Sequence, residues 1–366
     1  MLDKFNRAKA SAVFDFAARQ VRALVEASPD FFPMYTVGGH WKHGGESWTN
    51  WCEGFLCGEL WLLYQHTGDP YWQDKASHYC RLIEPRQADR TVHDLGFLFW
   101  PSWKRWYDLA GDEARRQVVV NAGKTMGLRF KPEGGYLCSF LADDSLFIDI
   151  MMNVGIVFYA AQQSNDRELG DKAMAHCLTT RRTLVRGDGS TAHEGLFDLA
   201  TGEFLHQSTQ QGYRSDSSWA RGQAWAIYGF GTAYQASDDP RFLQTAEDCA
   251  AYYIENTPSH GIPPNDWRDP EPAYPYESSA AAITASGLLQ LARLSADPLR
   301  RRLYHDYALT ILDTLSGPEF LAGETPGWEG ILKHASYHQR KRLGVDESVM
   351  WGDYFYLEAL FEVLHD

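Results

Sequence analysis

Two carboxylates in unlikely company carry the first sign of chemistry. Asp149 lies in SLFIDIMMN, between Ile148 and Ile150, on a run otherwise fit for a core. A carboxylate there is either buried and paired or has a perturbed pKa. Burial raises that pKa, and so does a second carboxylate such as Asp94 in TVHDLGF. A raised pKa is what a general acid needs near neutral pH. The plainer alternative is an aspartate that caps a loop or pairs with an arginine.

Other polar and aromatic side chains occur in similar loop-to-helix settings. His93 precedes Asp94, Phe140 lies in GGYLCSFLADDS, and His193 lies in DGSTAHEG. QGYRSDSSWARGQAW holds Gln211, Arg214, Trp219, Arg221 and Trp225. Arg221 and Trp225 are four apart and share a helical face. The serines before them predict a helix N-cap. Trp51 stands in the first loop, and Ser336, Tyr337 and Lys341 in the last. His93 and His193 could ligate a metal, but there is no H-E-x-x-H, cysteine cluster or calcium loop, so no metal is expected. The absence of G-x-S-x-G, G-x-G-x-x-G and a P-loop argues against a serine nucleophile and a nucleotide cofactor.

These residues need elements to hold them. HTGDPYW, LAGDEAR, QSNDREL, QASDDPRF and LSADPLRR look alike, each between two apolar periodic runs. Each supplies a polar break and an aspartate able to cap the next helix. Longer Gly- and Pro-bearing loops fall at about 27–52, 84–93, 127–143, 185–217, 257–277 and 316–347. The pattern is roughly twelve helices, with short turns alternating with long loops. Strands are expected only as short hairpins inside the long loops. The expected fold is all-α, an (α/α)6 barrel of six helical hairpins, in one catalytic domain over 1–366. A first helix at about 3–26 would pair with a last at about 348–364. The long loops would share one end, where helix N-termini favour an anionic ligand. An open solenoid is the alternative, although its repeats are usually more uniform.

The bulk numbers narrow the partners. With 34 Lys plus Arg against 48 Asp plus Glu, the 366-residue chain has a net charge of −14, which disfavours nucleic acid. The 13 Trp and 19 Tyr suit sugar stacking and a large helical core alike. No run approaches the roughly 18 apolar residues of a membrane span. The opening MLDKFNRAKASAVFDFAARQ has no secretion signal, and six cysteines lack framework spacing. A cytoplasmic enzyme with free thiols, monomeric or homodimeric, is the expectation.

The motifs NWCEGFLCGELWL, HDLGF, DGSTAH, QGYRSDSSWARGQAWAIYGF and GVDESVMWGDYFYLEAL, in that order, resemble the unsaturated glucuronyl hydrolases of glycoside hydrolase family 88. The resemblance covers nearly the whole chain. It implies an (α/α)6 barrel acting on lyase-generated oligosaccharides of chondroitin or hyaluronan type. These carry a Δ4,5-unsaturated uronic acid at the non-reducing end, removed by hydration of the vinyl ether. By the same resemblance Asp149 is the general acid/base, Asp94 the second essential aspartate, and His193, Gln211, Arg221 and Trp225 active-site positions. Trp51 matches the aromatic that stacks on the unsaturated ring, and His93 a wall residue. Phe140 stands where relatives often carry Trp, keeping the stacking and losing an N–H donor. The related unsaturated rhamnogalacturonyl hydrolases usually read R-G-N-G-W where this chain has RGQAW. They remain the alternative, acting on pectin lyase products. Sulfate-tolerant relatives resemble an arginine followed by S-x-x-S-x-K. Arg214, Ser336, Gln339 and Lys341 match it, except that Gln339 replaces the second serine. Two rivals lie outside the hydrolases. A sugar epimerase would rely on paired His bases, and a non-enzymatic helical-repeat binder would not need Asp149.

Overall fold

The computed structural model describes residues 5–44 and 48–365. Residues 1–4, 45–47 and 366 lie outside it, among them part of the expected first helix and of the Trp51 loop.

The helices are α1 (Arg7–Ala27), α2 (Glu53–Thr67), α3 (Pro70–Ile83), α4 (Leu95–Phe99), α5 (Arg105–Ala110) and α6 (Glu113–Gly127). They continue as α7 (Ile150–Ser164), α8 (Arg167–Leu184), α9 (Ala220–Ser237), α10 (Pro240–Asn256), α11 (Ser278–Leu294), α12 (Pro298–Leu315) and α13 (Met350–His365). A π-helical turn at Trp100–Lys104, which contains Pro101, joins α4 to α5. Proline removes one backbone donor, and the widened turn absorbs the loss. Counting that run as one helix leaves the dozen that the hairpin pattern requires.

The short turns work as their sequences imply. The aspartate side chains accept first-turn N–H groups, Asp69 from Tyr71 at 2.9 Å and Asp112 from Arg115 at 3.1 Å. Asp166, Asp239 and Asp297 do the same for Leu169, Arg241 and Leu299. Each satisfies a donor that the helix start would otherwise leave orphaned. Just before most of them a residue takes the left-handed conformation that ends the previous helix: Gly68, Gly111, Asn165 and Asp238.

The chain forms two compact units, a second made of residues 83–256 with 266–268 and a first made of the rest. In the first unit α13 packs against α1, α2 and α11, and α11 against α12. In the second, α7 packs against α6, α8 and α9, and α9 against α10. Burial separates two kinds of helix. Residues Gly54–Leu63 of α2 are buried without a break, and so are Ser278–Leu291 of α11 and Met350–Leu360 of α13. By contrast α1 buries one stripe, Ala10, Val13, Phe14, Ala17, Val21 and Val25.

Among the described residues strands occur only in the long loops: β1 (Thr36–Val37), β2 (His40–Trp41), β3 (Phe130–Lys131), β4 (Tyr136–Leu137), β5 (Ser145–Phe147), β6 (Glu194–Phe197), β7 (Phe204–Ser208), β8 (Ala335–His338) and β9 (Leu343–Glu347). Six of them pair as three two-stranded hairpins, β1–β2, β3–β4 and β8–β9, and β5, β6 and β7 make one antiparallel sheet in that order. All six cysteines are free and buried.

Candidate active site

The three-stranded sheet brings the chemistry together. Strand β5 runs into Ile148 and Asp149, while β6 follows directly after His193. The register pairs Phe147 with Glu194, and the Ile148 N–H donates to the His193 carbonyl at 3.0 Å. Residues more than forty apart in sequence are thereby fixed side by side. Asp149 ends as the residue before α7, with its carboxyl at the start of a buried helix.

Each aspartate has a histidine. His193 Nδ1 accepts the N–H groups of Gln210 at 3.1 Å and Gln211 at 3.2 Å. Those donors require an unprotonated Nδ1, so the ring proton sits on Nε2, 3.6 Å from Asp149 Oδ2. His93 repeats the device. Its Nδ1 accepts the Phe140 N–H at 3.0 Å, and Nε2 lies 3.3 Å from Asp94 Oδ1. Burial, followed by the nearby positive charge of Arg129, pushes the His93 pKa well down, so it is a neutral donor.

Asp94 and Asp149 differ in ionisation. Burial lifts Asp149 to about 6, against the opposing Arg221 charge and its own backbone N–H. Asp94 rises further, to about 8, through burial and then the charge of Asp149, with Arg86 and Arg129 opposing. Two carboxyls pushed apart in pKa have different roles available to them. Asp149 Oδ2 is buried with no hydrogen-bond partner among the described residues, while the side chain as a whole stays 14% exposed.

The wall of the site is built from α9 and the loop before it. The Arg221 guanidinium lies 4.3 Å from the Trp219 ring and donates to Gln211 Oε1 at 2.6 Å. The His193 ring sits between Phe147 and Trp219, with centroids 4.6 and 4.7 Å away. Phe140 is 5.5 Å from His93. Two expectations need correction. The serines do not cap α9, because the capping residue is Trp219. Ser217 instead donates to Asp266 at 2.6 Å and Ser218 to Gln223 at 3.0 Å. Trp225 is fully buried and packs on Phe97 at 4.9 Å, a core position rather than an open wall. Arg214 is exposed, and its guanidinium is held by Asp216 at 2.9 Å.

The other expected residues belong to the first unit. Trp51 stacks 4.6 Å from Trp351. The Tyr337 hydroxyl accepts the Trp48 N–H at 3.1 Å, and Lys341 Nζ lies 5.6 Å from the Trp48 ring. Ser336 is buried, its N–H taken by Glu277 at 3.1 Å.

Three supports escaped the sequence reading. Asn153 accepts the Phe97 N–H at 2.8 Å and donates to the Asp149 carbonyl at 3.1 Å. It ties α4 to α7 and so the Asp94 end to the Asp149 end. Gly96 permits that approach, since a Cβ there would lie 2.5 Å from Asn153 Cα. Asp266, fully buried, takes the N–H groups of Tyr213 and Arg268 and the Ser217 hydroxyl, pinning the loop that carries Gln211. Glu277 caps α11 through Ala280 and fixes Ser336. Of these, only the four-residue step from Asp149 to Asn153 leaves a trace in the sequence.

An all-α fold carrying a neutral-imidazole-supported carboxyl pair defines a class, the acid/base glycoside hydrolases. The Glycosyl Hydrolase Family 88 model matches residues 31–291. The chain is 34% identical over 348 residues to the unsaturated glucuronyl hydrolase of Bacillus sp. (strain GL1), covering 91% of each. That enzyme's crystal structure superposes with a TM-score of 0.89 over 97% of this chain and 96% of its own. The unsaturated glucuronyl hydrolase of Streptococcus agalactiae gives 0.91, at 28% identity, over 99% and 93%. The unsaturated chondroitin disaccharide hydrolase of Streptococcus pneumoniae (strain ATCC BAA-255 / R6) is 30% identical, over 87% and 83%. The chain belongs to glycosyl hydrolase family 88, and its all-α fold is the one these solved structures share. Among the described residues no helix is long and apolar enough to cross a membrane.

Proposed function

We propose that the chain acts as one catalytic domain that removes a Δ4,5-unsaturated uronic acid from lyase-generated oligosaccharides of chondroitin or hyaluronan type. The observation that carries this reading is Asp149: buried, facing a neutral imidazole, and lifted to about 6 with one oxygen unpartnered. In the neutral form its carboxyl gives a proton to C4 of the vinyl ether. Positive charge develops at C5 and is shared with the ring oxygen. Water adds at C5 and its proton passes to the Asp149 carboxylate, restoring the acid. The resulting hemiketal opens to a ketone at C5, and the hemiacetal at C1 then releases the aglycone. Asp94, held neutral below about pH 8, donates a hydrogen bond to the sugar. Arg221, backed by Gln211, suits the uronate carboxylate. No metal or cofactor enters this sequence of steps.

Trp51 stacks on the unsaturated ring in this reading. Ser336, Tyr337, Gln339 and Lys341 read the aglycone sugar, sulfated or not. Arg214 takes part only if its pairing with Asp216 is broken. The test is the ultraviolet absorbance of the conjugated enoate on unsaturated chondroitin, hyaluronan and rhamnogalacturonan disaccharides. Loss on the first two and persistence on the third supports the reading. The reverse pattern assigns the enzyme to pectin products.

A further inference from the structure

The β3–β4 hairpin closes through Gly134 and Gly135, the second in a left-handed conformation that a side chain would resist. It sets Arg129, just before β3, opposite Cys138, just after β4. There the Cys138 N–H donates to the Arg129 carbonyl at 3.1 Å. The half-buried Arg129 side chain joins two segments of the candidate site. Its guanidinium donates to the Cys138 carbonyl at 2.8 Å, to the Ser139 carbonyl, and to the Arg90 carbonyl at 2.6 Å. Ser139 leads into Phe140, and Arg90 into His93 and Asp94. All three acceptors are backbone, and among the described residues no carboxylate forms an ion pair with Arg129. A planar fork of five donors can serve three carbonyls at once, which the point charge of a lysine cannot.

The Ser139 contact reaches the chemistry in one step. The Ser139 carbonyl and the Phe140 N–H belong to the same planar peptide unit. Arg129 holds its oxygen, and its N–H donates to His93 Nδ1 at 3.0 Å. A cation on the carbonyl polarises the amide and strengthens the N–H it presents. That donor keeps Nδ1 unprotonated and puts the ring proton on Nε2, 3.3 Å from Asp94 Oδ1. With Oδ1 accepting the imidazole N–H, the carboxyl's own proton is left to the other oxygen of Asp94. The same segment is tied from its far side. The Ser139 hydroxyl donates to Ser145 at 2.8 Å, and Ser145 donates at 2.6 Å to buried Glu194, next to His193. Charge works in the same direction as geometry. After burial, the Arg129 charge lowers the His93 pKa, and so do His193 and His176. For Asp94, burial and then Asp149 raise the pKa, Arg86 and Arg129 lower it, and Asp89 raises it.

We propose that Arg129 is a positioning residue for the hydration step, fixing His93 through the Ser139–Phe140 peptide in the tautomer that orients Asp94. The role rests on the reading of the enzyme as an unsaturated-uronate hydrolase. The test is nitrogen-15 NMR of the full-length enzyme labelled at histidine rings, with His93 assigned as the signals lost in His93→Gln. Arg129→Gln removes the charge, and Arg129→Lys keeps the charge while giving up the fork. The wild type is expected to show His93 protonated at Nε2 alone. Both variants are expected to mix the two tautomers and to lose about tenfold in kcat on unsaturated disaccharide, with helical circular dichroism unchanged. In enzyme labelled at aspartate carboxyls, the Asp94 titration midpoint should rise above about 8 in Arg129→Gln and hold in Arg129→Lys. His93 protonated at Nδ1 in the wild type overturns the proposal. So does an unmixed Nε2–H tautomer in Arg129→Lys, or kcat there within about twofold of wild type, even when thermal stability falls, because Arg129 then only braces the hairpin. Arg129→Lys decides the matter alone if Arg129→Gln does not fold. The tautomer is read without substrate. An enzyme that leaves unsaturated disaccharides intact therefore fails the hydrolase reading, while the His93 signals still show whether Arg129 sets the ring.

Discussion

Asp149 is the N-cap residue of α7 in the second unit, and Asp353 lies in the first turn of α13 in the first unit. Each sits at the start of a helix that is buried for most of its length, and burial lifts both, Asp149 to about 6 and Asp353 to about 7. Their surroundings differ. Asp353 is 1% exposed, and its two oxygens take the N–H groups of Leu332 at 2.8 Å and Ile331 at 2.9 Å. It fastens the segment that leads into β8. Asp149 leaves one oxygen unpartnered and part of its side chain open. A raised pKa therefore does not by itself mark a catalytic group. What differs between these two carboxyls is that the backbone of Ile331 and Leu332 claims both oxygens of Asp353 and leaves Asp149 Oδ2 unclaimed.

The same substitution at the two positions sharpens the contrast. Asp149→Asn is expected to lower kcat/KM by about 10²–10⁴, the usual worth of a positioned acid/base, with helical circular dichroism unchanged. Asp353→Asn turns one acceptor oxygen into a donor facing a backbone N–H. It is expected to cost about 1–3 kcal/mol of stability by urea denaturation, while the folded enzyme keeps activity within a few-fold. Loss of activity in both, at equal stability, would erase the distinction.

The pH dependence follows from the direction of the shifts. A proton donor lifted to about 6 is lost as pH rises, so kcat/KM should fall about tenfold per unit above roughly pH 6. A further loss is expected near 8, where Asp94 ionises. Both carboxyls keep protons that an unfolded chain gives up near pH 4, so stability declines as pH rises from there towards 8. Since Arg221 holds the Asp149 pKa down, Arg221→Gln should move the first limb of the rate profile to higher pH. A limb that stays put or moves down means that Arg221 does not act on Asp149. The smallest effect concerns Lys341, exposed and lying against Trp48. Lys341→Ala is expected to lower the ratio of rates on sulfated over unsulfated disaccharide a few-fold. An unchanged ratio removes that residue from aglycone recognition.

Much of this was legible in the sequence because the signals were local. The five Asp-bearing turns announced their helices, and the capping bonds span two or three residues. Asp149 stood out for the same reason, a carboxylate between isoleucines. What could not be read was set by contacts distant in the chain. The β5–β6 register that seats His193 beside Asp149 is one example, and the grip of Asp266 on Tyr213, fifty-three residues away, is another. Trp225 was expected at the site from the family resemblance and from the helical face it shares with Arg221. Its burial against Phe97 depends on the packing of α4, which no pattern within α9 encodes. The capping residue of α9 was misread because Asp266 and Gln223 claim the two serine hydroxyls.

The central claim is that burial with one oxygen left unpartnered leaves Asp149 with a transferable proton. It is tested most directly by carbon-13 NMR of enzyme labelled at aspartate carboxyls, assigning Asp149 as the resonance lost in Asp149→Asn. A titration midpoint near 6 is the predicted result. A midpoint near 4, the ordinary aspartate value, would contradict it.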